Sequence, residues 1–283
     1  MTLIAEPKTT EAIALTPLLK WAGGKRKLAP AIAKFYEPFR TTHQWAEPFV
    51  GGMGATLGVM PADAILNDSN PHLINFYEWV KGNGVWDLPR SLNERRFYDH
   101  RREWFNDLVD WITSGLASDC IKSSSAQLFY YLNRTCFNGL CRFNGDGKFN
   151  VPFGKYKTIT YQEDFTQYQE AFDRWRFRCG DFEHLTGEIC DRPTFTYCDS
   201  PYDCEFTTYS KGGFKWDDQV RLAEWCAKLP GPVLVSNAAT ERIIKLYTDL
   251  DFQIEVFPVG RSISCKGDER KPALEIFAFK SME

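Results

Sequence analysis

Short apolar runs bounded by turn residues occur near both ends of the chain. QWAEPFV (44–50) and DAILND (63–68) come early; TFTYCDS (194–200), PVLVSNA (232–238), QIEVFPV (253–259) and ALEIFAF (273–279) come late. Each reads as a strand. Amphipathic runs such as GATLGVM (54–60) and WDDQVRLAEWCAKL (216–229) lie between them and read as helices. Strands alternating with helices predict an α/β sheet. The middle has a different period. Phe97, Trp104, Leu108, Ile112 and Leu116 recur at helical spacing and predict a helix buried along that stripe. SSAQLFYYLNR (124–134) predicts another, and strand-like runs are nearly absent from 79 to 135. The simplest organisation is a loose tail (1–16), one α/β unit formed by 17–78 and 158–283, and a mainly helical insertion (79–157).

The insertion ends in a legible hairpin: CRFN, the turn GDG, then KFNV (141–151). Alternation places Cys141, Phe143, Phe149 and Val151 on one face and Arg142, Asn144, Lys148 and Asn150 on the other. The polar face therefore carries cations and amides but no carboxylate.

Composition adds exclusions. The chain has 283 residues, 43% hydrophobic and 25% charged, which suits a globular protein. No apolar run is long enough for a membrane helix, and the start lacks the basic and apolar regions of a signal peptide. Nine cysteines and four histidines are scattered, without metal-ligand spacing or a disulfide framework. The expectation is a cytoplasmic protein with free thiols, no metal and no obligate protein partner. A net charge of −3 gives no blanket affinity for nucleic acid. Local charge differs: residues 134–157 hold five cations (Arg134, Arg142, Lys148, Lys155, Lys157) against Asp146 alone. Cations interleaved with amides and aromatics suit a DNA-contacting surface, although a solvated hairpin has the same charges.

Three further segments carry candidate chemistry. Phe49-Val50-Gly51-Gly52-Met53-Gly54 joins a strand to a helix, and Asp68 ends the next strand. Glycines allow close backbone approach to a ligand, and an acid there can accept hydrogen bonds from ribose hydroxyls. A plain strand-to-helix turn would read the same. Lys20-Trp21-Ala22-Gly23-Gly24-Lys25 opens a stretch with four cations and no anion between 18 and 28. It suits an aromatic ring and a lysine on a ligand, or a solvated basic turn. Asp199-Ser200-Pro201-Tyr202 leaves the strand TFTYC. A carboxylate and an adjacent backbone carbonyl can accept both N–H groups of an adenine amine, which favours a tetrahedral nitrogen. The aromatic ring can stack on a base that has left the duplex. An ordinary strand exit remains the alternative reading of those four residues.

The ordered set of motifs resembles the Dam-type, D12-class DNA adenine N6-methyltransferases. It comprises KWAGGK (20–25), EPFVGGMG (47–54), NDSNPHLINFY (67–77), NRTCFNGLCRFN (133–144), NVPFG (150–154), YCDSPY (197–202), VSN (235–237) and RSIS (261–264). The order, with the glycine turn before the insertion and the insertion before the acid motif, is that of the family's alpha group. The resemblance implies a Rossmann-like, S-adenosylmethionine-dependent fold whose insertion recognises the target in double-stranded DNA. It implies that Trp21, Lys25, Phe49, Gly51, Gly52, Gly54, Asp68 and Asp199 bind the cofactor. Asp199, Ser200, Pro201 and Tyr202 would form the catalytic adenine pocket. Phe137, Asn138, Leu140, Arg142 and Pro152 match positions at the family's DNA face and imply GATC as target. Lys20, Arg134, Asn144, Lys148 and Lys155 complete the expected DNA-binding set. The implied setting is a bacterial nucleoid or a phage-infected cell.

Two positions depart from the family pattern. Ser200 stands where D-P-P-Y has its first proline, and Met53 stands where a small residue is usual. Ser200 motivates an alternative, a DNA-binding relative with impaired catalysis. A nicotinamide-dependent oxidoreductase would share the glycine turn and acid, but the G-x-G-x-x-G frame is missing and 134–157 would go unexplained. An RNA adenine methyltransferase is disfavoured by the hairpin's likeness to GATC readers.

Overall fold

The computed structural model describes residues 15–83, 88–203, 213–259 and 273–281. The end of the tail is packed rather than loose: Leu15 is buried and its N–H donates to Leu57 O at 3.1 Å. The motif RSIS and residues 1–14 lie outside the described residues.

Among the described residues seven strands form one sheet: β1 (Gln44–Glu47), β2 (Ala64–Asp68), β3 (Trp175–Cys179), β4 (Thr194–Cys198), β5 (Val233–Ala238), β6 (Gln253–Val259) and β7 (Ala273–Lys280). Their order is β3-β2-β1-β4-β5-β7-β6. β7 runs antiparallel to β5 and β6, while β3, β2, β1, β4 and β5 are mutually parallel. The alternation of runs predicts this α/β sheet, and its order is Rossmann-like, as the resemblance implies. β1 and β4 are buried at every position, as central parallel strands covered on both faces must be. β6 is largely exposed and carries Pro258, which an edge strand tolerates. β3 was not anticipated: WRFRC spends two of five positions on arginine because it, too, is an edge.

Helices α1 (Ala29–Tyr36), α2 (Gly54–Val59), α3 (Pro71–Asn83), α4 (Arg95–Thr113), α5 (Asp119–Thr135) and α6 (Thr166–Phe172) precede β3; α7 (Thr186–Cys190), α8 (Trp216–Lys228) and α9 (Glu241–Thr248) follow it. The buried residues form two clusters. One joins Trp45, Leu66, Phe195 and Tyr197 to α1, α3, α5 and α6; the other joins Ala46, Cys198 and Val235 to α7, α8 and α9. The insertion adds to the first cluster through Phe105, Phe129, Leu132, Phe149 and Val151, so it shares the core of one sheet face. Residue 79 lies within α3, so the chain enters the insertion along a continuous helix.

The predicted stripe on α4 holds at Ile112 and is elsewhere displaced by one residue. Tyr98, Phe105, Val109 and Ile112 face the core, whereas Trp104 is 46% exposed and Leu116, beyond the helix, is 75% exposed. Both sets satisfy a helical period. The buried set wins because its rings pack on Phe129, Tyr131, Phe149 and Phe153. The predicted hairpin is a chain reversal closed by one bridge, Phe143 to Phe149, without extended strands. Asn144 N–H donates to Lys148 O (2.8 Å) and Asn150 N–H to Arg142 O (3.2 Å). The anticipated faces are kept: Phe149 and Val151 are buried and Asn150 is exposed.

Candidate active site

The strand order reverses between β1 and β4, and open α/β sheets bind ligands outside the carboxyl ends of strands at such a point. Glu47 ends β1, Asp68 ends β2 and Asp199 follows β4. The sheet thus gathers three acids that are far apart in sequence.

The glycine turn and the Lys20–Lys25 motif pack on each other. Gly51 N–H donates to Asp68 Oδ2 at 3.0 Å, and the Tyr77 hydroxyl donates to Gly51 O at 2.7 Å. A Cβ on Gly51, whose φ is +45°, would stand 2.6 Å from Trp21 Nε1; one on Gly52 would stand 2.5 Å from Trp21 Cβ. A Cβ on Gly54 would stand 2.9 Å from Lys25 N. Glycine is required at these positions by the close approach of residues 21–26. Met53 adopts φ +60° at the start of α2 and is fully buried. Phe49 packs on Phe182 and Phe214.

Lys25 is buried and lies 3.0 Å from Asp199 Oδ1, 2.9 Å from Gly23 O and 4.3 Å above the Tyr202 ring centre. Ser236 Oγ donates to the same Asp199 oxygen at 2.8 Å and is itself 3.0 Å from the Tyr197 hydroxyl. Among the described residues nothing donates to Asp199 Oδ2, which leaves that oxygen free to accept a further hydrogen bond. Burial raises the Asp199 carboxyl above its usual range, while Lys25 and Ser236 oppose the rise and favour the carboxylate. Tyr202 donates its hydroxyl to Glu275 Oε2 at 2.8 Å. Ser200 is buried and its hydroxyl has no partner among the described residues; Pro201 is exposed.

Asp68 accepts from Gly51 N–H and, at 2.9 Å, from Asn70 N–H. Burial raises its carboxyl and the two backbone donors lower it. A carboxylate has about four acceptor sites, so two remain for hydroxyls. Glu47 was quoted within a motif but given no role in the sequence reading. It is buried beside Asp199 and accepts from Thr56 Oγ1 and Trp45 Nε1. Burial, reinforced by Asp199, pushes its carboxyl up to about 8.

The loop that follows α5 leaves that helix and returns beside it, with Cys136 bridged to Phe153. Phe137 (50% exposed), Asn138, Pro152 and Lys155 project outward, and Leu140 is half-buried. Arg142 donates from Nε to Asn150 Oδ1 (2.8 Å) and from Nη2 to Asn150 O (3.2 Å), so Asn150 orients it. Asn144 is a turn residue: its Oδ1 accepts from Asp146 N–H (3.1 Å) and Lys148 N–H (2.9 Å). Lys148 donates to Asn106 O at 2.6 Å and so reaches back to α4. The Arg134 guanidinium lies over the Tyr130 ring, 5.6 Å from its centre.

Lys20 links this loop to the motif that packs on the glycine turn. Its peptide N–H and C=O pair with the Asn133 side chain at 2.9 and 2.8 Å, and Asn133 also donates to Gly139 O at 3.2 Å. Lys20 Nζ sits 3.8 Å from the Tyr156 ring centre. Asn133, Ser236 and Glu47 were missed as working residues, with no signal beyond lying inside a quoted motif; Asn150 was placed on the polar face of the hairpin but given no role. No described residues form a cluster of metal-ligating side chains.

The sequence profile of the D12 class N6 adenine-specific DNA methyltransferases matches residues 21–262. A DNA adenine methylase of Vibrio cholerae is 35% identical, over 92% of this chain and 94% of its own length. The type II methyltransferase M.MjaIII of Methanocaldococcus jannaschii is 33% identical, over 91% and 96% respectively. The DNA N-6-adenine-methyltransferase of Escherichia phage P1 is 32% identical over 92% of this chain, which spans about a third (34%) of that longer protein.

Proposed function

Because this chain belongs to the D12 class of N6 adenine-specific DNA methyltransferases, we propose that it methylates N6 of a flipped-out adenine within GATC in duplex DNA, using S-adenosylmethionine. The observation that carries the reading is Asp199 at the strand-order reversal, with one oxygen held by Lys25 and Ser236 and the other open to substrate.

The donor set fits the cofactor. Asp68 has acceptor sites for a ribose diol, Phe49 offers a ring beside the β1 exit, and Lys25 and Trp21 border the glycine turn. Bound there, the cofactor supplies an electrophilic sulfonium methyl. Asp199 Oδ2 accepts one N–H of the adenine amine and the Ser200 carbonyl accepts the other. The nitrogen is thereby drawn towards a tetrahedral geometry, with its lone pair free to attack. The Tyr202 ring, fixed by Lys25 and Glu275, stacks on the base. Arg142, oriented by Asn150, reads a guanine edge; Phe137, Asn138, Leu140 and Pro152 meet the bases, and Lys155, Lys20 and Arg134 supply positive charge to the phosphates.

Plasmid DNA incubated with the protein and S-adenosylmethionine, then digested with nucleases that differ in sensitivity to adenine methylation at GATC, tests this reading. Protection confined to the sensitive nuclease is expected. Bound but unmodified DNA would favour a catalytically impaired DNA-binding relative, for which the observation is the unpartnered Ser200.

A further inference from the structure

The Asp199–Tyr202 turn is held from its far side by residues outside the pocket. Pro201 O accepts from Gln219 Nε2 at 2.7 Å. Gln219 Oε1 accepts from Asn237 Nδ2 at 3.0 Å, and Asn237 Oδ1 accepts from Asp203 N–H at 3.0 Å and Ala238 N–H at 2.8 Å. Gln219 and Asn237 are 1% and 0% exposed. The Asp203 carboxylate is fixed in turn by Thr240 Oγ1 at 2.9 Å and by Arg242, whose guanidinium covers the Trp216 ring. Both flanks of Tyr202 are thus tied to one buried amide pair carried by α8 and β5.

Ser200 contributes no such restraint through its side chain. Its hydroxyl has no partner among the described residues, and serine lacks the ring that would fix φ near −65°. Something else must place the carbonyl at 200 and the ring at 202. Strand alternation puts Cys198 in the cluster of α8 and turns Asp199 towards Lys25, so the amide pair and the reactive carboxylate belong to opposite sides of β4. The pair therefore acts on the turn without touching substrate.

We propose that Gln219 and Asn237 are positioning residues that set the Asp199–Tyr202 turn in place of a proline ring at 200. The inference rests on the methyltransferase reading above. Removing the pair leaves Pro201 O without its donor and lets the turn drift, and a displacement of about 1 Å can lower a rate roughly 100-fold.

The test measures single-turnover methyl transfer for the wild type, Gln219→Met, Ser200→Pro and the double variant, with melting temperatures in parallel. Methionine keeps the length and burial of glutamine and removes both hydrogen bonds. Gln219→Met should lose about 10- to 100-fold in rate at saturating DNA and cofactor. Ser200→Pro should then raise the rate in the methionine background roughly tenfold more than in the wild type, a coupling that a merely structural role would not produce. If Gln219→Met does not fold, Asn237→Asp keeps both acceptor bonds, replaces the donor to Gln219 by a carboxylate oxygen that repels it, and should show a loss that Ser200→Pro again relieves. Equal effects of Ser200→Pro in the two backgrounds would overturn the inference, as would a wild-type rate from folded Gln219→Met. A silent wild type awakened by Ser200→Pro would overturn the inference and keep the family chemistry. Four silent proteins would overturn the methyltransferase reading and this inference with it.

Discussion

Replacing Glu47 with glutamine removes a titration that the fold makes unfavourable. Glu47 is 2% exposed, and its carboxyl is pushed from 4.5 to about 8 by burial and by the charge of Asp199. The physical sense is charge balance: Lys25 pairs with Asp199, and a neutral Glu47 avoids a second anion beside them. The folded pKa lies above the unfolded one. The contribution to stability is therefore full below pH 4.5 and is lost as pH rises through about 8. Between pH 5 and pH 9 that loss is about 4 kcal/mol. At roughly 2 °C per kcal/mol for a chain of this size, it corresponds to a fall of about 8 °C in Tm. Glutamine stays neutral and can still accept from Thr56. Calorimetric melting of both proteins across this pH range gives a difference curve in which other titrating groups cancel. The glutamine variant should gain on the wild type as pH rises, most steeply between the unfolded and folded values of 4.5 and about 8, and level off above the latter. Parallel Tm curves would refute the argument that Glu47 is buried in its neutral form.

Asp68→Ala should weaken S-adenosylmethionine by about 1.5–3 kcal/mol, the worth of hydrogen bonds to a charged acceptor; unchanged affinity in calorimetric titration would remove Asp68 from the cofactor site. Arg142→Ala should relax preference at a guanine of the target by about 1–3 kcal/mol, and Asn150→Ala, which frees the arginine, should relax it less. Equal losses on cognate and substituted duplexes would instead make Arg142 a phosphate contact. Lys155→Ala should flatten the salt dependence of DNA binding measured by fluorescence anisotropy. Lys148→Ala should flatten it less, because Lys148 is drawn back to Asn106 and Asp110.

Much of the sheet was legible because central strands are written as uninterrupted apolar runs between turn residues. β3 was not: WRFRC alternates apolar residues with arginine at the strand period, but five residues are too few to stand out from the charged segment around them. On α4 two apolar stripes run side by side, and spacing alone does not say which one meets the core. The motifs brought the pocket residues into view, but their mutual contacts depend on the tertiary fold. Lys25 and Asp199 are 174 positions apart and meet because β1 and β4 are neighbours. The least legible residues were buried polar ones. Glu47, Asn133, Gln219 and Asn237 resemble ordinary surface residues in sequence, and their partners lie on other elements.

The central claim is that Asp199 holds an adenine amine for methyl transfer. The most direct measurement follows labelled methyl from S-adenosylmethionine into a duplex bearing one GATC, for the wild type and for Asp199→Ala, with DNA affinity measured alongside. The account predicts label at N6 of that adenine with the wild type, and none with Asp199→Ala despite retained binding to the duplex. Label on another base, or a near wild-type rate from Asp199→Ala, would contradict it.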